Sequence, residues 1–141
     1  MKPPSPLWVA RALIGIVLFF NVQCAILFLA WPETFAGSFE LIGASGNIMV
    51  RSLGLLFLMW NVPYAIAFRD PIRHQTSLVE AIIMQAIGLA GESLMIISLQ
   101  AGHPLLVETG LRFIWFDGAG LLALIAAFSL IRRARPAGAA G

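Results

Sequence analysis

Four long runs of apolar residues dominate the chain, and most polar residues lie in the connections between them. The runs cover roughly residues 7–30, 46–68, 78–100 and 111–131. Each is about 20 residues long or slightly more, which lets a helix cross a hydrocarbon layer of about 30 Å. None alternates apolar and polar residues with a period of two, so the runs predict helices rather than barrel strands. The pattern predicts an all-α bundle of four transmembrane helices that forms a single domain over residues 1–134.

Composition supports an integral membrane protein and argues against several other classes. Of the 141 residues, 60% are hydrophobic and only 11% are charged. A soluble globular domain carries about 25% charged and 45–50% apolar residues. This balance excludes a cytosolic enzyme, a nucleic-acid binder and a disordered chain. The single cysteine, Cys24, excludes an intramolecular disulfide and a cysteine-rich metal site.

Positive charges collect on one side of the predicted bundle. With four spans, seven of the nine Lys and Arg residues fall at the chain ends or in the second connection, and only Arg51 and Arg112 approach the other side. Positive residues mark the cytoplasmic face of a membrane protein. We therefore expect both termini in the cytoplasm and the bundle in a bacterial-type inner (plasma) membrane. The seven residues are Lys2, Arg11, Arg69, Arg73, Arg132, Arg133 and Arg135.

The segments outside the spans have their own patterns. Large apolar residues recur at near-helical spacing within segment 31–45, which predicts either a short interfacial helix or an irregular loop anchored by aromatic side chains. Small residues predict a flexible cytoplasmic tail at 135–141. The recurring residues of the first segment are Trp31, Phe35, Phe39 and Ile42.

Local signals predict a kink and a helix start. Pro63 lies inside the second run and should kink that helix, which frees a backbone carbonyl near Met59. We expect the side chain of Asn61 to satisfy backbone groups freed by this kink. Ser77 and Glu80 match the capping-box pattern and predict the beginning of the third helix.

Three charged residues, Arg51, Glu92 and Asp117, lie five or more residues inside the ends of the predicted spans. A rise of about 1.5 Å per residue places them about 8, 12 and 9 Å below the outer ends of their helices. Such residues face the bundle interior by default, and the planar guanidinium of Arg51 can bridge two carboxylates. We therefore predict a polar cluster in the outer half of the bundle, with Asn21 at a similar depth. On this hypothesis Arg51→Leu prevents folding, because two carboxylates lose their partner.

Three interpretations of the cluster stay open. It is a structural ion network that fixes helix register, or a ligand or proton site, or Arg51 extends to the outer surface and leaves the cluster. Gln85, Gly88 and Glu92 share one helix face, and Asn61 lies with Gln85 toward the cytoplasmic half. The small residues of this stripe are typical of close helix packing, with a ligand groove as the alternative.

The histidines bear on cofactors. His74 and His103 lie in connections on opposite sides of the predicted bundle, so a bis-His haem within one chain is excluded. Two carboxylates beside an arginine do not make a metal site, which needs several converging ligands. We predict no metal and no resident cofactor. A bound lipid or quinone is the ligand class that suits the apolar setting.

Three features carry a family resemblance. Residues 10–19 place Arg11 ahead of a glycine-bearing first helix, residues 31–39 form an aromatic outer segment, and a glycine-flanked helix begins at 46–54. Together they resemble the DoxX-like group of small four-helix membrane proteins. The resemblance implies a membrane component, often an accessory subunit, associated with redox or sulfur metabolism, and it assigns no catalytic residue. A more distant similarity of architecture is to EXPERA-type bundles, which implies an isomerase-like enzyme that uses buried carboxylates, here Glu92 and Asp117.

The functional expectation follows from these points. We predict a non-catalytic integral membrane protein, which is either an accessory subunit or a binder of a lipophilic small molecule, a quinone or lipid, through the outer polar cluster. The alternatives are an isomerase-like enzyme and a proton or ion pathway. The expected partners are membrane lipid and either further copies of the chain in a homo-oligomer or a larger membrane complex, with no nucleic acid.

Overall fold

The protein is an all-helical bundle. The computed structural model describes residues 5–134, and no strand occurs in that range. Four segments are long and apolar enough to cross a membrane: α1, α3 continued by α4, α5, and α6. The predicted all-α fold with four such helices is confirmed, and the predicted tail at 135–141 lies outside the described residues. The elements are α1 (Pro6–Ala30), α2 (Pro32–Ala36), a 3-10 turn (Gly37–Phe39), α3 (Gly43–Trp60), α4 (Val62–Arg69), α5 (Gln75–Ser98) and α6 (Pro104–Ala134).

Three helices begin three or more residues earlier than their apolar runs, namely α3 at Gly43, α5 at Gln75 and α6 at Pro104. The first turns of α5 contain both Ser77 and Glu80, and no side chain caps the helix start, so the capping-box prediction is wrong. The first residue of α6 is Pro104, and proline suits a first helical turn because its missing N–H has no acceptor there. Polar residues in the next two turns of α6 pair with each other, Arg112 with Glu108. An apolar run therefore marks the stretch of helix suited to lipid and not the helix ends.

The predicted kink is confirmed, and it divides the second span at Asn61. Helix α3 ends one residue before Asn61 and α4 begins one residue after it, with Pro63 in the first turn of α4. The Asn61 side-chain Nδ2 donates to the backbone carbonyl of Phe57 over 2.6 Å. The Phe57 carbonyl also accepts the backbone N–H of Asn61 over 3.1 Å, so it is not a group that Pro63 frees, and the expectation that Asn61 satisfies freed backbone groups is not met by this contact.

The kink separates two segments that pack on different neighbours. Helix α1 packs along α3 and along α6, α5 packs along α6, and α4 packs against α5 and α1. Helix α3 has no comparable packing against α5 or α6. At the end of the bundle that holds α2 and α3, which we call the α2 end, the helices follow one another in contact in the order α3, α1, α6, α5. We call α1–α3 and α5–α6 the two helix pairs, which the packing of α1 along α6 joins. At the opposite end, the α4 end, α4 lies between α1 and α5 and closes the bundle.

Each end of the bundle has its own apolar core. The core of the α4 end contains fully buried side chains from four helices, among them Ile14, Tyr64, Leu78 and Leu124. The core of the α2 end is centred on Phe28, which is 4% exposed, and combines aromatic with smaller apolar side chains around it. Rings that contact Phe28 with centroid separations of 5.0 to 6.4 Å are those of Phe35, Phe39, Phe57 and Phe113.

The segment after α1 folds back over the α2 end. A short helix, α2, forms as one of the two predicted alternatives. Phe35 and Phe39 turn inward to Phe28, whereas Trp31 is exposed. Thr109 donates to the Ser38 carbonyl over 2.7 Å, and His103 contacts Glu40 over 2.6 Å. The hydrogen bond from His103 lowers the pKa of the Glu40 carboxyl. These contacts attach the segment to the first turns of α6.

The outward surface of the bundle suits lipid. Large apolar side chains on α5 and α6 point away from the cores, with Ile97 exposed at 80% and Trp115 at 78%. Exposed apolar surface on this scale is costly in water and typical of a membrane or an interaction surface.

Helices α1 and α3 approach closely at Gly54. A Cβ atom at this position would lie 2.8 Å from the backbone carbonyl oxygen of Ala25, which cannot move without moving α1. We expect Gly54→Ala to lower the free energy of unfolding by about 2 kcal/mol, the usual scale for overpacking a core. Thermal unfolding in detergent measures this loss. Gly91→Ala is the control, since nothing lies within 4 Å of a Cβ there, and equal melting temperatures for the two variants would contradict the prediction.

Candidate functional site

A cavity lies between the two helix pairs at the α2 end. Its volume is about 460 Å³, and its walls are aromatic side chains with a few polar groups. Helix α2 borders the cavity, because its Phe35 side chain belongs to the lining. The lining comprises Phe20, Asn21, Gln23, Cys24, Leu27 and Phe28 of α1, Phe35 of α2, Phe57, Trp60 and Asn61 at the kink, Gln85, Gly88 and Glu92 of α5, and Arg112, Phe113, Phe116 and Asp117 of α6.

A directed chain of hydrogen bonds runs along the floor of the cavity. Trp60 Nε1 is 3.4 Å from the Tyr64 hydroxyl and donates to it, and that hydroxyl donates to Gln85 Oε1 over 2.6 Å. Gln85 Nε2 then donates to Asp117 Oδ1 over 2.8 Å. The order of donors fixes the orientation of the Gln85 amide and presents Asp117 as an acceptor. The carbonyl of Ala81, 3.1 Å from the same hydroxyl, is the alternative acceptor for its single proton.

Two glycines make room for this chain. A Cβ at Gly88 would lie 2.6 Å from Asp117 Oδ2, and a Cβ at Gly120 would lie 2.9 Å from Gln85 Nε2. Helices α5 and α6 can therefore bring a glutamine and an aspartate together only because the facing positions have no side chain. The small-residue stripe serves helix packing, and at Gly88 it also belongs to the cavity wall.

Two polar side chains at the cavity keep an unsatisfied oxygen. Glu92 Oε2 and Asn61 Oδ1 are both buried from solvent and have no hydrogen-bond partner among the described residues. Burial of a polar atom without a partner costs about 1–3 kcal/mol, so such atoms need an explanation. Both residues line the cavity, where a bound molecule could supply the missing donors.

Five of the six predicted site residues come together here, and one does not. Asn21, Asn61, Gln85, Glu92 and Asp117 all line the cavity. The predicted bridge by Arg51 is wrong: that side chain is exposed, it does not line the cavity, and the ion pairs found among residues 5–134 do not include it.

The position of Arg51 has a simple physical reason. Helix α3 buries the stripe of Gly46, Val50 and Gly54 against α1. Successive residues of a helix are rotated by about 100°, so the residue after Val50 points to the side of that stripe. The guanidinium extends away from the bundle, which is the third of the interpretations given above for the polar cluster.

The sequence reasoning missed several residues of the site. Tyr64 is completely buried and holds the centre of the hydrogen-bond chain. Its spacing of four residues from Trp60 places both on one helix face, a signal that was available. Phe113 carries the same signal, since it lies four residues before Asp117 and three before Phe116.

The charges at the site are unequal in depth. Arg112 lines the cavity but pairs with Glu108 one turn away, and both side chains are more than half exposed. The positive charge therefore lies at the rim, while Glu92 and Asp117 lie deeper. Within residues 5–134, no three His, Cys, Asp or Glu side chains are grouped so that they could hold a metal ion.

Comparison of the chain with protein-family models, with curated proteins and with solved structures gave no match. The resemblance to the DoxX-like group therefore stays a prediction.

Proposed function

We propose that the protein binds a lipophilic small molecule in the cavity at the α2 end. The observation that carries this proposal is the cavity itself, with about 460 Å³ enclosed by aromatic side chains and bordered by five of the predicted polar residues. Ligand sites in proteins are typically clefts of about 300–1,000 Å³ with apolar walls and a few oriented polar groups. A volume of this kind left between tightly packed helices is costly unless something fills it.

The packing of the helices supports entry from the lipid. Helix α3 does not pack along α5, and we propose that the entrance to the cavity is the gap between these two helices, on the side of the hydrocarbon layer. An apolar molecule dissolved in the membrane reaches such a gap without crossing water. With both termini in the cytoplasm, as the positive charges indicate, the cavity lies in the outer half of a bacterial inner membrane.

The α4 end argues against a proton or ion pathway. Below Gln85 and Tyr64 the bundle is filled by fully buried apolar side chains, including Ile14, Leu78 and Leu124. An ion crossing this core would leave every polar partner behind, at a cost of several kcal/mol. A binding site open on one side of the membrane fits this arrangement better than a channel.

An isomerase-like activity is the second candidate. Glu92 and Asp117 line the same cavity, and two carboxyl groups on one ligand could remove a proton at one carbon and return it at another. Isomerisation leaves the mass of the ligand unchanged and alters its chromatographic retention. A ligand that the protein releases in an altered form would therefore favour this candidate over simple binding.

Cys24→Trp tests the binding proposal by filling the cavity. We expect the purified protein to carry a lipophilic molecule, detected by mass spectrometry after denaturation, and the variant to lose most of it. Ile16→Trp is the matched control, because Ile16 is on the same helix, points outward and is 55% exposed. Equal amounts of co-purifying molecule in both variants, or none in the unmodified protein, would overturn the proposal.

A further inference from the structure

The hydrogen-bonding groups at the cavity are unequally used, and the donors are the ones already engaged. Gln85 Nε2 donates to Asp117, Asn61 Nδ2 donates to the carbonyl of Phe57, and Trp60 Nε1 donates to Tyr64. Each of these acceptors belongs to the protein. No buried side-chain nitrogen that lines the cavity is left without a partner among the described residues.

Oxygen atoms are in surplus. Asn61 Oδ1, which can only accept, has no partner. Glu92 Oε2 has none either and accepts when its carboxyl group is ionised, and Asp117 presents a second carboxyl oxygen beside Gly88. The Asn61 amide cannot reverse to supply a donor, because its nitrogen already serves the Phe57 carbonyl. Terminal carboxyl and amide torsions are soft, so each oxygen can turn toward a donor placed in the cavity.

The remaining polar groups of the lining do not change this balance. Arg112 is held at the rim by Glu108 and is largely exposed. Asn21 and Gln23 lie on α1 and are not fully buried. An amide can offer either its oxygen or its nitrogen, so these two side chains do not select between donor and acceptor ligands.

We infer that the ligand carries a hydrogen-bond donor, a hydroxyl or an ammonium group, at the end of an apolar body. This inference rests on the proposed binding function and narrows its ligand class. A site with unpaired buried acceptors favours a ligand that donates and rejects an analogue that cannot, since the analogue leaves those acceptors unsatisfied. A quinol and a long-chain amine meet the requirement. An oxidised quinone, which has acceptors only, does not.

A quinone and its quinol provide the sharpest test, because they differ only by two hydrogen atoms. The probes are a fully ring-substituted benzoquinone with a decyl tail, the same molecule in its quinol form under anaerobic conditions, and decylamine. Binding is measured as a ligand-dependent rise in melting temperature in detergent. We expect the quinol and decylamine to stabilise the protein at concentrations about tenfold below those of the quinone, a difference of about 1.4 kcal/mol.

Variants tie the preference to the cavity. Glu92→Gln keeps the size of the side chain and adds a donor, so we expect the advantage of the quinol over the quinone to shrink severalfold. Glu80→Gln makes the same chemical change on an exposed side chain that does not line the cavity, and it should leave the preference unchanged.

The outcomes separate this inference from the function on which it rests. Stabilisation by the quinone equal to or greater than that by the quinol overturns the donor requirement and leaves lipophilic binding in place. An unchanged preference in Glu92→Gln also overturns it. If no probe stabilises the protein and no molecule co-purifies with it, the binding function fails and the inference fails with it.

Discussion

Gln85→Leu is expected to cost about 1–3 kcal/mol of unfolding free energy, because the substitution leaves a buried carboxyl group without its donor. Gln85 is 3% exposed and joins Tyr64 on one side to Asp117 on the other. Leucine has a similar volume, so the loss measures the hydrogen bonds and not a cavity. Chemical or thermal unfolding in detergent reports the change.

The hydrogen-bond chain predicts a rank order within this experiment. Tyr64→Phe should cost less than Gln85→Leu, since it leaves the Gln85–Asp117 bond in place. Gln100→Leu, on an exposed residue after α5, is the matched control. Arg51→Leu should also stay close to the unmodified protein, in contrast to the loss of folding expected from the sequence. A larger effect at Arg51 than at Gln85 would contradict the observed arrangement.

Gly88→Ala should disrupt the site from α5, the helix that faces Asp117 of α6. The new methyl group would lie 2.6 Å from Asp117 Oδ2, so the carboxyl must move and its bond with Gln85 weakens. Overpacking costs about 1–3 kcal/mol, with the strained hydrogen bond added to it; we expect about 3 kcal/mol and a loss of ligand stabilisation.

A double-mutant cycle identifies the cause of this effect. Asp117→Ala removes the atom that the new methyl group meets, so Gly88→Ala should cost much less in that background. Gly91→Ala lies one turn away on α5 and has free space around it. It should be neutral or slightly stabilising, since alanine favours a helix over glycine. Additive costs of Gly88→Ala and Asp117→Ala would contradict the direct contact.

The coarse fold could be predicted because the apolar runs are long and continuous. Backbone groups in lipid must bond within their own segment, so length and hydropathy suffice to indicate four spanning helices. Proline chemistry is equally local, and Pro63 predicted the break at Asn61 for the same reason. The starts of α5 and α6 were placed too late, because polar first turns lower hydropathy without ending a helix.

The candidate site was partly within reach of the sequence. A buried carboxyl or amide in a spanning helix tends to face other helices. That argument predicted an outer cluster with Glu92 and Asp117 and placed Gln85 and Asn61 toward the cytoplasmic half, whereas all four residues line one cavity. The same argument failed for Arg51, because its long, flexible stem lets the charge leave the bundle from a position beside the packed stripe. Rotation about the helix axis decided this contact.

The sequence alone determined the number of spans, the kink and the set of polar residues that must be sheltered from lipid, since each depends on local composition and backbone chemistry. The tertiary structure decided that α3 packs along α1 and not along α5 or α6. It therefore also decided that a cavity lies between α3 and the α5–α6 pair. It also decided which polar atoms meet. Close approach at glycines and the direction of each hydrogen bond are properties of helices packed in three dimensions, and no single helix contains that information.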